Sequence, residues 1–155
     1  MEAGLRDCLE VFQGATRLAL RDGHLSNGEK RLLVKLAHAL RLEEDEPKKV
    51  YDSVVRNTGL SAGRELVDQE KVMVYEQVLE AVLIHTDRSE DELMLVAYLR
   101  KAFQISDAEH RAITRSLDRQ LEQIIHRNVL QDFRMRLDDT MEKIGGIFDR
   151  IGIQI

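Results

Sequence analysis

Residues 26–29, Ser-Asn-Gly-Glu, and residues 89–92, Ser-Glu-Asp-Glu, are one helix-starting device written twice, and each opens an apolar run at helical spacing. From Ser26 to Ser89 the offset is 63 residues, and it holds well beyond those positions. Leu32 falls on Leu95, Leu36 on Leu99, Ala39 on Ala102, Leu40 on Phe103, Leu42 on Ile105, Glu46 on Glu109 and Val50 on Ile113. Upstream, Val11 falls on Val74, Phe12 on Tyr75 and Leu20 on Leu83. A repeat of this length constrains architecture more than any composition does, because each copy must present its apolar face to the other. It also marks a divergence, since the counterpart of Asp22 is His85.

Helices are the expected elements. The chain has 155 residues, 43% apolar and 33% charged, with one Pro and little β-branched alternation, so it can bury one core and stay hydrated outside. A net charge of −5 argues against a general nucleic-acid binder. Arg111, Arg115 and Arg119 recur every four residues, but Asp118 and Glu122 interleave with them and no aromatic residue accompanies them. The only cysteine, Cys8, cannot form an internal disulfide and reads as a buried core thiol in a reducing compartment. Met-Glu-Ala-Gly-Leu-Arg-Asp at the start lacks a basic segment followed by an apolar one, so no signal peptide is expected. No run reaches the ~18 apolar residues of a membrane span, and the expected location is cytoplasmic.

A first helix is expected over about 5–21, ended by Asp22-Gly23, where Gly permits a left-handed cap. Ser26 with Glu29 forms a capping box for the second helix. The acidic run 43–46 and Pro47 suit the first turn of a third. Residues 57–63 form the Gly/Ser-rich link between copies. A fourth helix, about 67–84, mirrors the first, and Ser89 starts a fifth. Ser106-Asp107-Ala108-Glu109 is a third capping box. From Ala108 to Lys143 neither Pro nor Gly intervenes, so one long helix or two joined helices follow. Leu130, Leu137, Ile144 and Ile151, with Phe133, Thr140 and Ile147 between them, make a heptad-like seam. That seam either packs on the repeat pair or docks a partner or second copy, and the apolar tail 146–155 should bury somewhere. His38 is expected to be partly buried, and His110 and His126 solvated.

The turn beginning at Asp22 fails as an EF-hand, since position six of such a loop would be Asn27 and position twelve Leu33. It resembles another pattern. Arg21-Asp22-Gly23-His24-Leu25-Ser26-Asn27-Gly28-Glu29, followed by Ala37-His38-Ala39-Leu40-Arg41-Leu42, is similar to the TerB-like (tellurite-resistance protein B) family. The second copy carries His85-Thr86-Asp87-Arg88-Ser89-Glu90-Asp91-Glu92 and Lys101-Ala102-Phe103-Gln104-Ile105-Ser106. The resemblance covers roughly residues 5–117. It implies an all-helical fold of repeated helix pairs, no enzyme activity, and a link to tellurite resistance, stress responses and membrane co-chaperones. It also implies divalent metal at acidic residues of the two turns. Here the second Asp-Gly is replaced by His85-Thr86, leaving the mixed set Asp22, Glu29, His85 and Glu92, which suits zinc or manganese over calcium. Capping alone accounts for Glu29 and Glu92, and a turn acceptor role for Asp22.

The expected molecule is therefore an all-α bundle of six or seven helices. A duplicated domain spans 1–117, with copies at about 5–57 and 67–117. A long C-terminal helix over 118–155 packs on it or mediates association. Its expected function is a non-enzymatic protein-interaction module with no resident cofactor, docking protein partners through residues 130–155 or forming a homodimer. The alternative is a divalent-metal-binding protein using the paired turns.

Overall fold

Seven helices and no strand make up residues 7–85 and 88–151, the part of the chain described by the computed structural model. They are α1 (Cys8–Ala19), α2 (Asn27–Ala39), α3 (Glu46–Arg56), α4 (Asp68–His85), α5 (Glu90–Ala102), α6 (Asp107–Leu121) and α7 (Arg127–Ile151). Thr86 and Asp87 of the second turn, Leu5 and residues 152–155 of the apolar tail lie outside the described residues.

The repeat is geometric as well as sequential. Both ends of α2 and α5 are displaced by the same 63 residues. Ser26 and Glu29 exchange backbone bonds at the start of α2, Ser26 N–H donating at 2.9 Å and the Ser26 hydroxyl accepting from Glu29 N–H at 3.1 Å. A capping box with Glu92 starts α5 at Ser89. Both helices end alike. Arg41 and Gln104 take φ of 55° and 54°. The next residues, Leu42 and Ile105, donate N–H to Ala37 and Arg100 carbonyls, each at 3.0 Å. These bonds satisfy carbonyls a helix end would otherwise leave open. The third box, Ser106 with Glu109, starts α6.

The link between copies is pinned. Asp7 caps α1 by accepting from Leu9 N–H at 2.7 Å, and its other oxygen accepts from Gly63 N–H. Cys8 N–H donates to Arg64 carbonyl at 2.9 Å, and the Cys8 thiol is buried as expected. Arg64 and Arg41 both donate to Glu70, at 2.7 and 2.8 Å, tying the end of α2 to the start of α4.

Two joined helices, not one, follow Ser106. The chain turns at 122–126, and the imidazole Nδ1 of His126 accepts from Asn128 N–H at 3.1 Å to start α7. The heptad-like seam packs inward: Leu130, Phe133, Leu137, Thr140, Ile144 and Phe148 are buried. Asp138 and Arg136 of α7 reach Arg100 and Glu90 of α5, and Phe148 meets Tyr98 edge-on at 5.6 Å. The apolar seam thus belongs to the chain's own core. No described helix is long and apolar enough to cross a membrane.

Candidate functional site

Two arrangements come from the duplicated turns. The first gathers charge between the starts of α2 and α5. Arg21, just past α1, donates to Leu18 carbonyl at 2.7 Å and to Asp91 at 2.6 Å, and lies 3.7 Å from Glu29. Glu29 is 1% exposed, and its Oε2 accepts no hydrogen bond among the described residues. Burial pushes its pKa up, with Ser26 N–H opposing and the nearby Asp91 charge adding to the rise. Glu92 is also buried. It accepts from Ser89 N–H at 3.2 Å, takes the Ser89 hydroxyl, and lies against Gly28, where a Cβ would stand 2.6 Å from the carboxyl carbon. Gly28 is therefore what lets the two turns pack so closely.

Of the four residues expected at a metal, Glu29 and Glu92 are thus committed to capping boxes, while Asp22 and His85 have exposed side chains. Asp22 accepts a long bond from His24 N–H at 3.4 Å. No group of three or more His, Cys, Asp or Glu able to hold a metal ion occurs among the described residues.

The second arrangement is a groove of about 660 Å³ between α2 and the end of α4. Lys30, Arg31, Leu32, Val34, Lys35 and His38 line one wall, Ala81 and His85 the other. Among the described residues no Asp or Glu lines it. Arg31 donates to the carbonyl of His85 at 2.8 Å, which fixes its guanidinium at the groove's end and caps α4. Lys30 and Lys35 have no ion pair among the described residues. Val34 is 57% exposed and puts an aliphatic side chain on the groove wall. His38, expected to be partly buried, is exposed, because the groove's outer wall has nothing packed over it.

The repeat explains the opening. At the 63-residue offset, Lys30, Arg31, Val34 and Lys35 correspond to Leu93, Met94, Ala97 and Tyr98, and Ala81 corresponds to Leu18. All five counterparts are buried. In the second copy the cleft between α5 and α1 is filled by Tyr98, whose hydroxyl donates to Val11 carbonyl at 2.9 Å, with Phe148 of α7 over it. In the first copy the equivalent cleft carries lysine in place of tyrosine and alanine in place of leucine, and no described helix roofs it. The groove is the counterpart of the place where α7 sits.

His110, expected to be solvated, is buried against α4, where its Nδ1 lies 3.1 Å from the Tyr75 hydroxyl. Burial, with Arg100 nearby, lowers its pKa to about 4, which leaves a neutral ring at pH 7. The pair is a satisfied core contact.

Sequence reasoning missed Lys30, Arg31 and Lys35. The signal was available: aligning the copies and comparing the type of residue, not only its recurrence, exposes a face that is apolar once and cationic once.

Fold and site together define a class, an all-helical bundle of two related helical units in which one inter-helix cleft is roofed and its counterpart is open. No family model, no curated protein and no solved structure matches this chain.

Proposed function

We propose that this chain is a non-enzymatic protein-interaction module whose docking surface is the groove between α2 and α4. The observation that carries this is the open, cation-lined cleft at the position where the second copy holds α7. Supporting it, the described residues lining the groove include lysines and an arginine and no pairing of nucleophile with base. Of the two readings of the α7 seam, packing on the repeat pair or docking a partner, its burial in the core fits the first, and this supports a docking surface elsewhere on the chain. The TerB-like resemblance is what suggests a stress-response or membrane-associated assembly as the setting.

The test is photo-crosslinking in cells, with a photoreactive amino acid at Val34 and, as a control, at Met135 on the outer face of α7. A discrete adduct from position 34, lost on combined Lys30→Glu and Lys35→Glu, is the expected result. Equal adducts from both positions would dispose of the groove as the docking surface.

One observation favours a second reading, a divalent cation at the paired turns: the buried Glu29 Oε2 accepts no hydrogen bond among the described residues, with Arg21 at 3.7 Å. Calorimetric titration with zinc and manganese decides it. Heats that are unchanged by Asp22→Ala with His85→Ala leave those residues no part in a site.

A further inference from the structure

The groove's chemistry narrows its occupant, granted that it is a docking surface. We propose that it takes an acidic, amphipathic α-helical segment of a partner protein, seated as α7 is seated on the second copy. Shape comes from the repeat: the equivalent cleft already accommodates a helix, with Phe148 placed over Tyr98. Charge comes from the substitutions, because lysine and arginine stand where the second copy has leucine and methionine.

The spacing of the cations decides among anions. Lys30 and Lys35 are five residues apart on one helix, about 7.5 Å along its axis. One phosphate meets both only if the two arms converge on a point, whereas carboxylates on successive turns of a helix, about 5.4 Å apart, meet each arm separately. Between the cations the exposed Val34 and the small Ala81 offer apolar surface, which asks for an aliphatic residue on the same face of the occupant. A nucleic acid offers charge without that apolar face, and the chain's net charge of −5 opposes it at longer range. A flat lipid surface would meet the rim cations but not the recessed Ala81.

The test uses the full chain and a synthetic helical peptide bearing Glu at helical spacing with Leu on the adjoining face. Three comparison probes are the same peptide with Lys for every Glu, vesicles containing phosphatidylserine, and inorganic phosphate. Binding is followed by fluorescence anisotropy and by amide chemical shifts. We expect saturable, salt-sensitive binding of the acidic peptide, with shifts confined to residues 30–38 and 81–85. The Lys peptide should bind at least about tenfold more weakly. Combined Lys30→Glu and Lys35→Glu should weaken the acidic peptide at least as much, with an unchanged melting temperature; Lys30→Gln with Lys35→Gln should give a smaller loss of the same sign. Equal binding of both peptides, shifts elsewhere, absence of saturation, or a stronger response to vesicles or phosphate would overturn the proposal. Dimers that form without peptide and dissociate on the charge reversal would give the groove to a second copy and overturn it too. The two readings can fail separately. A crosslink from Val34 into a non-acidic partner segment retains the docking surface and removes the acidic helix; peptide binding without any crosslink in cells does the reverse.

Discussion

Glu29 holds a carboxylate where water does not reach, and one of its oxygens, 3.7 Å from Arg21, accepts no hydrogen bond among the described residues. Its role at the start of α2 needs only the other oxygen, which accepts from Ser26 N–H. Glu29→Gln keeps that acceptor and removes the buried charge, so the variant should be more stable at pH 7 by about 1 kcal/mol. The sign of its pH dependence follows from the raised pKa. The unfolded carboxyl ionises first, near the ordinary glutamate value of 4.5, so the wild-type penalty grows as pH rises above that value. Urea titrations at pH 7 and pH 4 should show the gap closing in acid. His110 acts oppositely. Its unfolded ring takes a proton near 6.5 and its folded ring only near 4, so stability falls as pH drops through that window. His110→Gln should flatten the slope between those values; an unchanged slope would assign it to another group. Glu70, held down to about 2 by Arg41 and Arg64, adds a separate loss that begins below 4.5. The cap at Glu29 was legible from Ser-x-x-Glu alone, but its burial was not, since that depends on Gly28 admitting the second turn. His110 was misread because its partner Tyr75 lies 35 residues upstream, and local sequence around His110 is charged.

At the scale of elements, α2 and α5 share ends, caps and left-handed exits while differing on one face. What the sequence made plain was everything encoded locally: the three capping boxes, the break after each repeat helix, and the apolar stripe. What it hid was the break between α6 and α7, where neither Pro nor Gly marks the turn at 122–126. The groove was hidden for another reason. A cationic helix face reads as ordinary solvated surface until its counterpart is known to be buried. Gly145 and Gly146 show the same independence of sequence and consequence. They lie within α7, with no described atom within 4 Å of where a Cβ would stand. They therefore weaken the helix without serving a close contact. Replacing each by Ala should stabilise the protein by roughly 0.5–1 kcal/mol, read as a melting-temperature rise of a few degrees. A loss instead would show that this part of α7 needs the freedom glycine gives.

For the whole molecule, α7 and the six helices before it share one hydrophobic core. Leu130, Phe133, Leu137, Ile144 and Phe148 close the apolar face of the second copy. A chain ending at residue 126 should therefore lose its sharp thermal transition and bind hydrophobic dyes, as partly folded chains do. A truncated chain that still melts cooperatively would show that α7 is an accessory. The dependence on α7 also orders events during synthesis. The chain leaves the ribosome at about 5–20 residues per second, N-terminus first. While residues 127–151 are still being made, Tyr98 and the leucines around it are complete but unroofed. For those seconds the nascent protein presents two unroofed clefts instead of one, and only the apolar one is covered by the chain itself.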